Sequence, residues 1–222
     1  MGVFDTLSSA WWDPNGPMKV LHHINSLRVD WIRSFGSLHG KKILDVGCGG
    51  GILAESLARL GADVVGIDES PSLINVANLH ASSESISVDY RNIDVANFCD
   101  THEHQFDCVM CLEVIEHVSS PREFLGHCIK LLKEGGYLFL STINRTARSY
   151  FLTILMAEYI LGLIPRGVHN WSFFIKPSLL SKWIEEYGLL VSDIRGMSYN
   201  PLTRSACFAS SVDVNYFMVA QK

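Results

Sequence analysis

The chain has 222 residues, 48% of them hydrophobic and 18% charged, enough for one well-packed domain and too little for two. That balance excludes a disordered or fibrous protein, and no repeat of solenoid length is visible. A net charge of -5 supplies no clustered cationic excess for a phosphate backbone, so nucleic acid is not an expected partner.

Met1 to Trp12 has neither a basic region leading into an apolar core nor an Arg-rich, acid-poor character, so no cleaved address is expected. Lys42 to Val46 is a short apolar run that leads into Gly47-Cys48-Gly49-Gly50-Gly51, with Ile52, Leu53, Leu57 and Leu60 following at helical spacing. This predicts strand, glycine turn, helix. Asp63 to Ile67 predicts a second strand, and Ser70-Pro71 the start of a second helix. Ile86 to Arg91 and Phe106 to Cys111 predict two further strands, Pro121 to Leu132 a helix, and Tyr137 to Thr142 a fifth strand. Beyond these, an apolar helix is expected from about Ser149 to Leu163, another from Pro177 to Tyr187, and strands near Leu189 to Ile194 and Tyr216 to Ala220. Strands alternating with helices imply a mostly parallel sheet covered on both faces. The expected organisation is one α/β domain over 1–222, with a helical extension at about 1–40 and an insertion at about 145–176.

Six cysteines lie at 48, 99, 108, 111, 128 and 207 without the spacing of a secreted disulfide scaffold, which predicts a reducing compartment. Cys108 and Cys111 form a C-x-x-C on a predicted strand with no second pair to complete a zinc site, so they are expected to pack as small side chains.

The glycine turn lets the backbone approach a ligand closely, with Gly47 and Gly49 as candidates to line it. A dinucleotide fingerprint would place glycine where Ile52 stands. Asp45, just before the turn, would repel a pyrophosphate and attract a ligand carrying an ammonium and a sulfonium. That combination favours S-adenosylmethionine over NAD. Asp68 closes the second strand, where its carboxylate can accept from both ribose hydroxyls or cap the next helix. Asp94 could take the adenine amino group or serve as a turn residue.

With these residues in hand, the chain resembles the class I S-adenosylmethionine-dependent methyltransferases, and among them the ubiquinone-biosynthesis O-methyltransferase family. The resemblance rests on Leu44 to Glu55 (L-D-V-G-C-G-G-G-I-L-A-E), Trp11 to Arg28, Leu112 to Val118 (L-E-V-I-E-H-V), Gly167 to Trp171, and Gly196 to Leu202 with Val214 to Tyr216. It implies a Rossmann-like class I fold, a seven-stranded, mostly parallel sheet with an antiparallel terminal strand and helices on both faces. It implies that Arg28 holds the methionine carboxylate, Gly47 lines the cofactor, Asp68 binds the ribose and Leu112 contacts the adenine side. A guanidinium fork suits a carboxylate on its own terms; the competing reading of Arg28 is an exposed helix cation. The expected reaction is O-methylation of catechol-type polyprenyl phenols and quinols, with another small-molecule methyltransferase as the alternative. The chain departs from the family at Pro17 and Met18, where an acid and an aromatic are usual, and in Gly167-Val168-His169-Asn170-Trp171.

Glu113, Glu116 and His117 would share one face of a helical turn and could hold Mg²⁺ or another divalent cation that acidifies a catechol hydroxyl. The resemblance implies the same ligand set. The competing reading has the acids favouring a helix N-terminus. Without a metal, His117 or His169 is the candidate general base, with Glu116 beside it. Tyr150 to Ile164 is apolar but interrupted by Glu158 and too short to span a bilayer. Arg145, Arg148, Arg166, Lys176 and Lys182 flank it in a chain that is otherwise acidic. An anionic membrane surface is the expected partner of this insertion, against a buried lid helix or a dimer contact. The resemblance further implies peripheral membrane association and a place in a ubiquinone-biosynthesis complex. The corresponding location is cytoplasmic at the inner membrane in a bacterium, or the matrix side of the mitochondrial inner membrane in a eukaryote.

Overall fold

The structure is a computed structural model that describes residues 7–151 and 171–222. After a short 3-10 turn at Ser8–Ala10, helix α1 spans Lys19–Arg33. The alternating core follows: β1 Lys42–Val46, α2 Ile52–Ala58, β2 Asp63–Asp68, α3 Pro71–Ser83, β3 Asp89–Asn92, α4 Val95–His102, β4 Phe106–Leu112, α5 Pro121–Leu131 and β5 Leu132–Ile143. Helix α6, Pro177–Glu186, then leads into β6 Leu190–Asn200, β7 Ser205–Ala209 and β8 Asn215–Gln221.

The eight strands form one sheet in the order β3-β2-β1-β4-β5-β8-β6-β7. The first five are mutually parallel, and β8 runs antiparallel between β5 and β6. The reversed terminal strand is therefore as expected, but the strand number is corrected from seven to eight. The additional strand, β7, pairs antiparallel with β6 through Ser198↔Cys207 and Asn200↔Ser205. Its sequence, Ser-Ala-Cys-Phe-Ala, lacks β-branched residues, and the hairpin with β6 supplies the pairing that propensity does not. Tyr187 closes rather than extends α6, and most other ends fall within three residues of expectation. The apolar helix expected from Ser149 begins as a helical turn at Ala147–Ser149; residues 152–170 lie outside the described residues.

Both sheet faces are covered. One core packs Phe98 of α4, Leu125 of α5 and Leu180 of α6 on Val109, Leu138 and Met218. The other packs Trp31 of α1, Leu53 of α2 and Ile74 of α3 on Ile43, Phe139 and Phe217. Trp31 meets the rings of Phe139 and Phe217 edge-on at 5.2 and 5.3 Å, and its indole N–H reaches Asp193 of β6 at 3.3 Å. Cys108 and Cys111 alternate between the two cores, so the C-x-x-C points to opposite sheet faces, and burial lifts the Cys108 thiol to about 11.

Candidate cofactor and methyl-transfer site

The strand order reverses at β1, which has β2 on one side and β4 on the other. In parallel α/β sheets the crevice beyond the strand ends at such a point is where ligands bind. Asp45, the glycine turn, Leu112 and Glu113 all converge there. Gly47 N–H and Cys48 N–H both donate to Ile67 carbonyl oxygen, at 2.8 and 3.0 Å, which folds the turn back against β2. Gly47 has φ +69°, and a Cβ on it would lie 2.5 Å from Val114 Cγ2. Only glycine lets the turn and the segment after β4 close together in this way.

Asp68 accepts from Gly49 N–H and from Ser70 N–H, both at 2.9 Å. Ser70, not Asp68, caps α3, accepting from Leu73 N–H. Asp94 is accounted for locally: it caps α4 by accepting from Asn97 N–H, and that bond holds its carboxyl below the usual range.

Arg28 enters from α1 and is 5% exposed. Its Nε and Nη2 have no hydrogen-bond partner, while Nη2 lies 3.5 Å from Glu113 Oε1. The competing reading, an exposed helix cation, does not hold. Leaving guanidinium donors unpaired in the interior is costly, and a carboxylate arriving beside them would satisfy them. Burial lowers the Arg28 pKa against the pull of Glu113 and Asp45. Asp45, 4% exposed, is pushed up to about 7 by burial, with Asp68 adding to the rise and Arg28 opposing it. These groups suit the ammonium and carboxylate of an amino acid moiety.

The proposed metal set does not assemble. Glu113 adopts φ 60°, outside any helix, and accepts from Ser141 Oγ at 2.7 Å while facing Arg28. Glu116 lies within the 3-10 turn Ile115–His117, is 3% exposed, and accepts from Thr142 Oγ1 at 2.9 Å. Burial, reinforced by Glu113, pushes its carboxyl up to about 8. His117 is exposed. The left-handed residue at Glu113 breaks the helical spacing on which the shared face depended, and no cluster of three His, Cys, Asp or Glu able to hold a metal ion exists among the described residues. His169 lies outside the described residues. Ser141 and Thr142, not singled out in the sequence, anchor both acids. Their signal was two hydroxyls directly after the apolar run Tyr137 to Leu140 of β5.

A methyltransferase-domain family model matches residues 11–193. Ubiquinone biosynthesis O-methyltransferase of Thiobacillus denitrificans is 46% identical over 219 residues, covering 99% of this chain and 94% of the relative. The protein of that name from Pseudomonas aeruginosa is 48% identical with the same coverage. The chain belongs to the ubiquinone-biosynthesis O-methyltransferase family. Among solved structures it resembles magnesium protoporphyrin IX methyltransferase of Synechocystis with bound SAH, at TM-score 0.72 and 23% identity over 99% of this chain and 93% of that one. The [4+2]-cyclase SpnF has TM-score 0.66 at 18% identity, covering 89% of this chain and 80% of its own. The fold alone therefore does not fix the reaction. This family member is an S-adenosylmethionine-dependent methyltransferase.

Proposed function

We propose that this methyltransferase acts on a phenolic hydroxyl of catechol-type intermediates carrying a polyprenyl tail, in ubiquinone biosynthesis. The observation that carries this reading is the 46–48% identity, along almost the whole chain, to relatives named for that pathway. S-adenosylmethionine supplies an electrophilic methyl group when bound. The chain's own part is to hold and align. Arg28 takes the methionine carboxylate through its unpaired donors, Asp45 faces the ammonium, Asp68 accepts from the ribose, and Leu112 borders the adenine. The turn at Gly47 and Gly49 brings backbone close to the ligand.

Methyl transfer is an in-line displacement: the phenolic oxygen forms the new O–C bond, the C–S bond breaks and its electron pair returns to sulfur. Positioning supplies much of the rate. The phenolic proton needs an acceptor, and exposed His117, on the segment that follows β4, is the base this reading assigns, because imidazole titrates near neutrality. Glu113 and Glu116 are turned toward different partners, Ser141 with Arg28 and Thr142, so this reading does not depend on Mg²⁺. The basic, apolar segment around residues 145–176 favours work at an anionic membrane surface, and no described helix is long and apolar enough to cross a membrane. In a bacterium, like the relatives named above, that surface is the cytoplasmic face of the inner membrane, where partner enzymes of the pathway would also gather.

The test is transfer of a labelled methyl group to a short-chain prenyl catechol. O-methylated product with equimolar S-adenosylhomocysteine is expected; a chain that binds the thioether yet methylates no catechol overturns the substrate assignment.

A further inference from the structure

The segment before α1 does not hang free of the cofactor turn. The Trp11 ring lies against its backbone: a Cβ on Gly49 would be 2.4 Å from Trp11 Cζ2, and one on Gly50 2.3 Å from Trp11 Cδ1. Trp12 donates from its indole N–H to Gly50 carbonyl oxygen at 2.9 Å. Trp12 is in turn stacked face to face on His80 of α3, with ring centroids 3.4 Å apart and planes 2° from parallel. His80 donates from Nδ1 to Glu55 of α2, 2.9 Å from each carboxylate oxygen. Glu55 is 2% exposed and sits one turn past the glycines. His22 of α1 closes the group, donating from Nε2 to Trp11 carbonyl oxygen at 2.9 Å with its ring edge-on to Trp12.

A buried carboxylate is costly unless paired. A helix-to-helix staple would satisfy Glu55 without any tryptophan, and exposed Arg59 with Glu84 already supplies one between α2 and α3 at 2.8 Å. What Glu55 and His80 add is a fixed imidazole plane, and that plane is what the Trp12 indole lies on. The line of contacts ends on a peptide group of the cofactor turn. None of these residues belongs to the site described above.

We propose that Glu55, His80 and Trp12 are positioning residues: together they latch the 11–12 segment across the glycine turn, and so set how tightly and for how long the S-adenosyl cofactor is held. Glu55 orients His80, His80 seats Trp12, and Trp12 fixes the Gly50 carbonyl. The latch acts on cofactor retention and not on the displacement itself.

The experiment uses the full chain with S-adenosylhomocysteine as the probe, read by calorimetry and stopped-flow release, together with hydrogen exchange of the amides of residues 8–16 in the free protein. Trp12→Phe keeps a ring for the stack and loses the donor to Gly50. His80→Gln keeps a donor for Glu55 and loses the stacked ring. Each is expected to raise the dissociation constant at least fivefold through faster release, to speed exchange in residues 8–16, and to leave kcat at saturating cofactor within twofold. The double variant should be no weaker than the worse single one, because both act along one path. Arg59→Ala, which breaks only the exposed staple, should leave affinity unchanged. Unaltered affinity in both Trp12→Phe and His80→Gln overturns the proposal. Equal weakening by Arg59→Ala overturns it as well, because Glu55 and His80 would then matter only as a helix staple. Trp12→Phe decides the question even if His80→Gln does not fold.

Discussion

In the proposed function, Arg28 is the side chain that takes the cofactor's carboxylate. It is buried with two nitrogens unpaired, and charge-assisted hydrogen bonds are among the stronger contacts a protein makes. Arg28→Lys, which keeps the charge and loses the fork, should weaken S-adenosylhomocysteine about tenfold, and Arg28→Ala about a hundredfold; titration calorimetry measures both. Asp45 gives the site a pH dependence of definite sign. With its carboxyl near 7 in the free chain, it is protonated below that value, and a cationic ligand favours its ionised form. Cofactor binding should therefore release a proton on the acid side and weaken about tenfold from about pH 8 to about pH 6. Asp45→Asn should flatten that profile. Glu116, pushed up to about 8, is already protonated at neutrality, so Glu116→Gln should retain turnover within about threefold, whereas His117→Ala should depress kcat far more than cofactor affinity. A large loss in Glu116→Gln, seen in steady-state rates, would restore the acid to an ionised role. Asp45, Asp68 and Gly47 were legible in the sequence because the turn and the strand ends mark them. The separation of Glu113, Glu116 and His117 was not, because a positive φ at a glutamate leaves no trace in residue spacing.

At the scale of elements, the parallel half of the sheet reads directly from its apolar runs, since β1, β2, β4 and β5 are buried on both faces. The β6–β7 hairpin reads only in its first half, where a strand near Leu189 to Ile194 is expected. It alternates between exposed and half-buried positions, and its stretch Gly196 to Leu202 draws attention as a motif before it draws attention as a strand. Pairing with β8 and cover from α1 make it a strand, and both are remote in sequence. His23 of α1 and the Tyr199 hydroxyl meet at 2.7 Å across 176 positions. Trp31 is the main apolar anchor between α1 and this half. Trp31→Ala should cost about 3–5 kcal/mol, read as a lowered urea midpoint at unchanged slope.

For the molecule as a whole, charge is unevenly spread along the chain. The net charge is -5, yet Arg145, Arg148, Lys176 and Lys182 border an apolar stretch where Tyr150, Phe151, Trp171 and Phe173 are all exposed. Arg145 lies over the Trp171 ring at 4.8 Å, the pairing of cation and aromatic that suits a headgroup region. Vesicles containing anionic lipid should sediment the intact chain, and deletion of 150–164 should abolish that; equal sedimentation of both would remove the membrane surface from the proposed function.

The first helix leans on the last strands. Arg28 is seated by a helix whose Trp31 rests on Phe139 of β5, Phe217 of β8 and Phe208 of β7. During synthesis, therefore, the seat that α1 gives Arg28 is complete only once β5, β7 and β8 have all emerged and paired.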